Sequence, residues 1–294
     1  MLNILRASWR TGRVTESYPV LRSEPEHSLR GMPRIDPTRC RASGSCAEAC
    51  PAGAITLSGE GTVAKRWQLD LARCVCCGLC AEACPHGAIA MDGATELASR
   101  TRRDLIVGVT HGPRIEGGSR GPAATDSAEK ADRRAGRSHS RIGGLLKRSL
   151  HVRHMAAGSD NSTDWEIWAL LNPVYDVQRL GIDFVASPRH ADLLLVTGAV
   201  TRHLEPALRA TYEAMPEPRL VVAAGDEACG GGVLQGSYAV AGGVDRCLPV
   251  DVYIPGDPPS PRALIQGLLV ALDRLDPTAH RTEWTRDSTG RWGY

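Results

Sequence analysis

The second half of the chain alternates short apolar runs with amphipathic stretches, a pattern typical of strands that alternate with helices. The amphipathic stretches predict a helix over residues 202–215 and another after Ser260, which can cap a helix that begins at Pro261. The apolar runs predict strands over residues 182–186, 192–196, 220–224 and 246–252. Strands that alternate with helices indicate a parallel sheet in a doubly wound α/β domain.

Composition divides the chain into four segments. Residues 1–108 contain eight of the ten cysteines, whereas residues 109–145 are rich in Gly, Ser, Ala and Arg and show no apolar periodicity. Such a composition cannot bury enough surface to offset the entropy of ordering, so we expect a flexible linker there. Residues 146–276 form the predicted α/β domain, and residues 277–294 are predicted to be a polar tail.

Charge and hydropathy exclude several classes of protein. The net charge of +2 at pH 7 is too small to indicate nucleic acid or an anionic membrane as the principal partner. No run approaches the roughly 20 apolar residues of a membrane-spanning helix, and the start, MLNILRASWR, lacks the apolar region of a secretory signal. We therefore expect a protein that is neither secreted nor membrane-spanning.

Eight cysteines lie in an internal repeat, which is offset by 34 residues from Cys40 to Cys74. The runs DPTRC and CPAGAIT of the first copy match DLARC and CPHGAIA of the second. Closely spaced thiols in a chain without an export signal are typical of metal ligands rather than of disulfides. The repeat therefore predicts a duplicated cluster-binding unit.

The second copy, CVCCGLCAEACP, contains the Cys-x2-Cys-x2-Cys-x3-Cys-Pro spacing of iron–sulfur ligands. Three thiolates at every third residue surround one cubane, and the fourth, followed by proline, ligates the other cluster of the pair. A structural zinc site is the alternative, but it would need two pairs of ligands and no crossing Cys-Pro. The crossed register predicts that one [4Fe–4S] cluster is held by Cys50, Cys74, Cys77 and Cys80. Cys76 falls outside the register and is predicted to be a buried free thiol.

The first copy has Ser43 at its second ligand position, which makes the other site unequal. The crossed register gives this site Cys40, Cys46 and Cys84, with Ser43 at the fourth corner. A serine oxygen is a poor substitute for a thiolate unless it is deprotonated. A three-iron [3Fe–4S] cluster, a labile [4Fe–4S] cluster and no cluster are the alternatives, and the three remaining thiolates favour a cluster.

The first segment resembles the two-cluster ferredoxin-like subunits of membrane-bound [NiFe] hydrogenases and complex I. The cysteine motifs carry this resemblance, together with MLNILRASWRTGRVTESYPV and LRGMPRIDPTRC. It implies an α+β fold that holds two [4Fe–4S] clusters. It also implies that the leading segment is an arm packed on neighbouring subunits, which would account for the apolar residues Leu2, Ile4, Leu5 and Trp9.

Residues 148–273 resemble the small subunit of the same machines, which in complex I carries the terminal iron–sulfur cluster. The resemblance lies in RSLHVRHMAAGS, WALLNPVYDVQRLGIDFVASPRHADLLLVTGAVT, LRATYEAMPEP and VDVYIPGDPPSPRALIQGLL. It implies a flavodoxin-like α/β fold with a parallel sheet, and a cluster held by loops at the carboxyl ends of the strands. The positions of the family's four cysteines are here Asp160, Thr163, Glu227 and Asp257. Oxygen donors do not hold a cubane, so the terminal cluster is predicted to be lost.

Three carboxylates, those of Asp160, Glu227 and Asp257, would then converge where the relatives hold the cluster. They could bind a hard divalent cation such as Mg or Ca, or pass protons. The alternative, which we favour, is a pocket filled by water and by salt bridges to nearby arginines. Crowded acids repel one another, so at least one of them should have a raised pKa unless a cation lies among them.

The sequence therefore predicts an iron–sulfur electron-transfer subunit, itself non-catalytic, of a membrane-associated complex of the oxidoreductase type. The resemblance implies two kinds of partner, a large quinone- or [NiFe]-site-like subunit and membrane subunits, and a peripheral position on the cytoplasmic side of the membrane. Because loss of the terminal cluster would interrupt the electron path, the alternative is a non-redox structural or regulatory module of a proton- or ion-translocating complex. A free-standing electron carrier is the third alternative.

Overall fold

The computed structural model describes residues 2–19, 30–59, 65–93, 95–111, 149–276, 285–286 and 292–293. The helices in these residues are α1 (Leu2–Thr11), α2 (Ser45–Glu48), α3 (Leu79–Glu82), α4 (Ser162–Ala169), α5 (Glu205–Glu213), α6 (Asp226–Gly230) and α7 (Pro261–Ala271). The strands of the first unit are β1 (Pro33–Ile35), β2 (Ile55–Ser58), β3 (Lys65–Asp70), β4 (Ile89–Met91) and β5 (Ile106–His111). The later strands are β6 (Leu150–Ala156), β7 (Ile182–Phe184), β8 (Leu193–Thr197), β9 (Val200–Thr201), β10 (Leu220–Ala224), β11 (Val240–Gly242), β12 (Val252–Ile254), β13 (Thr285–Arg286) and β14 (Trp292–Gly293). Among these helices, none has the length and apolar character needed to cross a membrane.

The first unit consists of two small antiparallel sheets and two cysteine loops. One sheet pairs β1 with β4, and the other has the order β2-β3-β5. The cysteine loops lead into α2 and α3, and both begin their helix after a left-handed glycine, Gly44 at φ 92° and Gly78 at φ 84°. Two residues earlier, Ala42 and Cys76 share a φ of 51°. The backbone therefore repeats at the spacing of the cysteines, which confirms the duplication.

The second unit is built on the predicted parallel sheet, whose strand order is β12-β10-β8-β6-β7. Counted from β6 as the first strand of this sheet, the order is 2-1-3-4-5. All residues of β8 and β10 are buried, because layers cover both faces of the sheet. Helices α4 and α7 pack on the face that carries Leu193 and Leu195. The opposite face, which carries Leu194 and Val196, packs on α5, α6 and the first unit.

Most of the predicted elements of this unit are confirmed, and one is wrong. Strand β10 coincides with the prediction, and α7 begins at Pro261 with Ser260 Oγ accepting a hydrogen bond from the Ala263 N–H at 3.3 Å. The strand predicted over residues 246–252 is instead a 3₁₀ turn followed by irregular chain, and β12 begins only at Val252. Leu248 and Val250 are apolar because they are buried in the core without strand pairing.

The first unit is a structural layer of the second. The Ser99 N–H donates to the Tyr253 carbonyl at 2.9 Å, and the Tyr253 N–H donates to the Ser99 carbonyl at 2.7 Å, so the chain after β4 extends the sheet edge beyond β12. Near the start of the chain, Glu16 forms two 2.8 Å hydrogen bonds with Arg262 of α7. Residues of both units are buried together in the same two hydrophobic cores.

The ends of the predicted segments differ from the expected boundaries. Strand β5 continues to His111, three residues beyond the boundary at 108, because it pairs with β3 along its whole length. The rest of the predicted linker lies outside the described residues. Within the predicted tail, the described residues form a two-stranded antiparallel pair, β13 with β14.

The two units approach each other closely at Gly230, the last residue of α6. A Cβ at this position would lie 2.5 Å from Cγ of Arg73 and 2.6 Å from the Ala72 carbonyl oxygen, both in the 3₁₀ turn after β3. We expect Gly230→Val to lower the free energy of unfolding by about 2–3 kcal/mol, because the backbone of this turn cannot yield. Anaerobic thermal melting measures the effect. Gly236→Val is the comparison without a clash, because a Cβ at Gly236 would meet nothing within 4 Å. Any loss of stability in that variant reflects the left-handed backbone of Gly236 and not a contact between the units.

Candidate functional site

Five thiols line one cavity of the first unit. Cys74, Cys76 and Cys77 come from the loop before α3, Cys80 lies in α3, and Cys50 follows α2 of the other repeat. The remaining walls are largely apolar and are formed by Pro33, Ile55, Leu69, Val75, Gly78 and Met91. An apolar cavity with this many sulfur donors has the chemistry that an iron–sulfur cluster requires.

Two of these thiols, Cys74 and Cys80, have pKa values that their surroundings raise. Burial raises the pKa of Cys80 to about 12, with further contributions from the thiols of Cys74, Cys77 and Cys50. The pKa of Cys74 is also raised, mainly by its hydrogen bond with the Cys76 thiol and then by burial. Thiolates in such a cavity need a positive centre to stabilise them, and iron would supply it while displacing the protons.

Backbone amides donate to the two cysteines that cross between repeats. The Ala54 N–H donates to Cys50 Sγ at 3.2 Å, and the Ala88 N–H donates to Cys84 Sγ at 3.3 Å. The two bonds are equivalent in the repeat. Hydrogen bonds of this kind stabilise a thiolate and orient it toward a metal.

Three predicted ligands of the second site, Cys40, Cys46 and Cys84, also lie near one another, and the fourth, Ser43, is exposed. The pKa of Cys46 is raised by burial first, and the nearby thiols of Cys40 and Cys84 add to the increase. The indole N–H of the buried Trp67 donates to Cys46 Sγ at 3.3 Å and lowers that pKa. Ser43 is on the loop before α2, with its Oγ 3.5 Å from Oγ of Ser45 in an exposed contact.

The four positions that are predicted to replace cysteines lie at the carboxyl ends of the parallel strands. Asp160 and Thr163 follow β6, Glu227 follows β10, and Asp257 follows β12. Oγ1 of Thr163 lies 2.8 Å from where a Cβ on Gly225 would stand, so the loops after β6 and β10 touch. We call this group of four residues the terminal pocket.

Two acids of the terminal pocket, Glu227 and Asp257, have raised pKa values, with burial as the larger cause and neighbouring carboxylates as an addition. Burial raises the pKa of Glu227 to about 7, and Asp160 and Asp257 add to the effect. The pKa of Asp257 is raised by burial and then by Asp160. In the part of the chain that the structure describes, no three His, Cys, Asp or Glu side chains are arranged to hold a single metal ion. A hard cation at these carboxylates stays a prediction.

Sequence reasoning missed a further acid, Asp226, which is only 3% exposed. Burial raises its pKa to about 8, and the charges of Asp257 and Glu227 contribute. The helix that begins at Asp226 ends at Gly230 against Ala72 and Arg73, which directly precede Cys74, so the terminal pocket lies beside the first cysteine cavity. The only local signal was its place next to Glu227 in the run GDEACGGG.

A buried polar trio beside the terminal pocket was also missed. Asp164 accepts a 2.5 Å hydrogen bond from Oγ1 of Thr197, and its Oδ1 lies 3.1 Å from Nε2 of His154. Burial lowers the pKa of His154, although Asp164 opposes that change. These residues lie on α4, β8 and β6, and only the fold brings them together, so no local sequence signal identifies them.

Glu227 should make the stability of the chain depend on pH. Between about pH 4.5 and pH 7 the folded chain binds more protons at this side chain than the unfolded chain, so stability falls as pH rises through that interval. We expect Glu227→Gln to raise the free energy of unfolding at pH 8 by on the order of 1 kcal/mol, after allowance for solvent screening, and to change it little at pH 5. Melting at both pH values measures this. Glu217→Gln, at an exposed position, should show no such difference.

Comparisons with known proteins divide at the same place as the two units. Residues 30–88 match the family described as a 4Fe-4S dicluster domain, and residues 161–271 match the family described as NADH ubiquinone oxidoreductase, 20 Kd subunit. A dicluster match supports at least one [4Fe–4S] cluster in the first unit.

Three curated relatives are similar to about a third to a half of the chain. Formate hydrogenlyase subunit 7 of Escherichia coli is 47% identical over 138 residues, which cover 46% of this chain and 53% of the relative. The probable membrane-bound hydrogenase subunit mbhJ of Pyrococcus furiosus is 44% identical over 142 residues, covering 47% of this chain and 85% of the relative. An NADH-quinone oxidoreductase subunit of Citrifermentans bemidjiense is 52% identical over 101 residues, which cover 34% of this chain and 59% of the relative. The chain thus spans little more than half the length of the first and third relatives.

Proposed function

Since the chain belongs to the small-subunit family of membrane-bound hydrogenases and NADH-quinone oxidoreductases, fused to a 4Fe-4S dicluster domain, we propose that it is an iron–sulfur electron-transfer subunit of a related complex that has lost its terminal cluster. The observation that carries the proposal is the contrast between two neighbouring sites. One is an apolar cavity with five thiols. The other is a pocket of oxygen donors, at the carboxyl ends of strands whose 2-1-3-4-5 order supports a flavodoxin-like fold.

We assign a [4Fe–4S] cluster to Cys50, Cys74, Cys77 and Cys80. The donor set fits, because all four are thiols and all line the same cavity. The cluster supplies a one-electron carrier, and the chain supplies its anchoring. Cys50 reaches across from the other repeat, and its amide partner, the Ala54 N–H, fixes the sulfur in place.

The second site is assigned to Cys40, Cys46 and Cys84, with Ser43 at its open corner. Three thiols support a cluster there, and Ser43 supports a labile or three-iron form, because its oxygen is hard and its contact with Ser45 is exposed to solvent. Cys46 of this site lies in α2, at the repeat position of Cys80 in α3.

Replacing Ser43 by cysteine should turn the second site into an ordinary four-iron centre. The new thiol would stand at the repeat position of Cys77, on a loop with the same backbone conformation. We expect iron content to rise by about one atom if the site is a three-iron cluster, and by about four if it is vacant. Iron and sulfide analysis with EPR of anaerobically prepared protein measures the change. Ser45→Cys, two residues away, should add no iron. A Ser43→Cys variant whose iron content and EPR signal are both unchanged would mean that the register is wrong or that the site is already complete.

The terminal pocket does not fit a cubane. It offers two aspartates, a glutamate and a threonine, and the buried Asp226 adds a further acid. The electron path that relatives complete at this place would therefore stop or turn aside at the cluster of Cys50, Cys74, Cys77 and Cys80. We propose that the pocket contains water and that its acids share protons.

We propose that the partners are a large subunit and membrane subunits, and that the chain is peripheral on the cytoplasmic face of the membrane. Two exposed apolar surfaces support subunit contacts. On α4, Trp165 and Trp168 are both exposed and pack edge to face at 4.9 Å. On α1, Ile4 is 71% and Trp9 is 92% exposed. Exposed apolar surface of this kind is typical of protein interfaces.

The alternative is a non-redox module of an ion- or proton-translocating complex, and the replaced cysteine positions favour it. Anaerobic purification of the assembly from membranes, followed by subunit identification and dithionite reduction, distinguishes the two functions. An electron-transfer subunit gives a reducible iron–sulfur EPR signal at the first cavity. An assembly whose copy of this chain shows no such signal would favour the non-redox module.

A further inference from the structure

Cys76 has a place in the first cavity that the cluster assignment does not use. It lines the same cavity as the four assigned thiols. Its Sγ lies 3.6 Å from Sδ of Met32 and 3.8 Å from the carbonyl oxygen of Cys74. Cys76 is half-buried, and it is not a fully buried packing thiol. The cavity therefore presents one sulfur donor more than a cubane needs.

The loop does not need a thiol at position 76 for its conformation. Cys76 has a φ of 51°, in the left-handed region that disfavours residues with a Cβ. The matching residue of the other repeat, Ala42, has the same φ and carries no sulfur. An alanine thus serves the backbone equally well, so the thiol of Cys76 is available for another role.

The side chain of Cys76 is directed toward one corner of the ligand set. Its thiol donates to the Cys74 carbonyl at 3.8 Å, and both Cys74 and Cys76 line the same cavity. Cys50, which comes from the other repeat, and Cys80, which is fixed in α3, have no equivalent fifth thiol within their own segments. Cys77 is the neighbour of Cys76 in sequence, but the Cys76 thiol makes its contact with Cys74, so the corner held by Cys74 is the one that we assign to it.

Building on the proposed [4Fe–4S] cluster in this cavity, we propose that Cys76 is a reserve ligand for the iron that Cys74 binds. In a chain whose residue 74 lacks a sulfur, as in Cys74→Ser, the bond from that iron to Cys74 would be replaced by one bond to the Cys76 sulfur, and the Cys76 thiol proton would pass to solvent. Iron and sulfide are retained, and no electron is exchanged. Soft thiolate ligation is preserved because one cysteine replaces another.

The test uses four full-length proteins, each with Cys84→Ser to remove a ligand of the other site: the parent, Cys74→Ser, Cys76→Ala and the double variant. We expect the parent, Cys74→Ser and Cys76→Ala to keep about four irons in the cavity, and the double variant to lose them. Iron and sulfide content, visible absorbance and EPR are measured on anaerobic samples. Cys74→Ser should also show an altered EPR line shape, since its ligand comes from a different backbone position.

The other outcomes contradict either the reserve role of Cys76 or the proposed cluster. If Cys74→Ser loses its iron as completely as the double variant, Cys76 does not ligate. If the double variant keeps its iron, another atom fills the corner and the reserve role is also wrong. Cys80→Ser, which has no spare thiol in its helix, shows how much iron an unrescued loss removes. A parent protein without iron in this cavity would contradict the proposed cluster itself.

Discussion

Replacing Cys50 by serine should abolish the cluster of the second repeat, although Cys50 belongs to the first. The crossed arrangement carries this expectation, because Cys50 lines the cavity of Cys74, Cys77 and Cys80. Serine removes the thiolate and also the sulfur that accepts the Ala54 N–H. We expect a loss of about four irons per chain, with loss of the corresponding EPR signal. Anaerobic iron and sulfide analysis measures it.

Cys84→Ser is the matched control for this prediction. Cys84 has the same place in its repeat, is also followed by proline, and also accepts an amide hydrogen bond, from Ala88. It belongs with Cys40 and Cys46, whose thiols act on each other electrostatically. Its replacement should therefore spare the first cavity and remove only iron of the second site. A Cys50 variant that keeps the first-cavity signal, or a Cys84 variant that loses it, would mean that ligation does not cross between repeats.

Introducing cysteine at all four positions of the terminal pocket should create a cluster there, where we propose that the natural chain holds none. The combined variant is Asp160→Cys, Thr163→Cys, Glu227→Cys and Asp257→Cys. The loops that present these residues are held together by backbone bonds, such as that from the Asp226 N–H to the Gly256 carbonyl at 2.9 Å. We expect about four additional irons and a new EPR signal. The gain would arise because only the donor atoms, and not the scaffold, have changed.

A three-cysteine version that keeps Asp257 separates ligand chemistry from folding. It should take up less iron than the four-cysteine variant, because a carboxylate is a hard ligand at one corner. Thermal melting of both variants shows whether each is folded. A folded four-cysteine variant with no added iron would mean that the surroundings of the pocket, such as the buried Asp226, do not accommodate a cluster.

The sequence predicted strands β8 and β10, in which every residue is buried. Strands β8 and β10 are covered on both faces, so each is a continuous apolar run. The central strand β6 was missed because its run, LHVRHMA, places His151, Arg153 and His154 among the apolar residues. The two histidines have partners from distant parts of the chain: Asp192 faces His151, and Asp164 and Thr197 face His154. The contacts exist only in the folded chain, so the local pattern could not reveal them.

The packing of the first unit onto the second was not predictable either. The contact depends on small residues, Ala72 against Gly230, and on two backbone bonds between Ser99 and Tyr253. Neither feature has a hydrophobic periodicity. A fusion of two recognisable segments is expected to be joined by a linker, and no sequence pattern indicates that the first segment covers a face of the second segment's sheet.

The candidate site was also predictable only where its residues lie close together in sequence. Cysteine spacing predicts a ligand register, since the ligands of a cubane lie close together in sequence. The replaced positions follow from resemblance. Asp226 and the trio of His154, Asp164 and Thr197 could not be predicted. Burial raises the pKa of Asp226 and lowers that of His154, and long-range hydrogen bonds join the trio only in the folded chain.

We propose that the first unit holds iron and that the terminal pocket holds none. Anomalous X-ray scattering at the iron edge, on crystals of the full chain grown anaerobically, locates the iron atoms. We expect a four-iron peak among Cys50, Cys74, Cys77 and Cys80, and no iron among Asp160, Thr163, Glu227 and Asp257. A cubane-sized peak among the latter four residues would contradict the proposal.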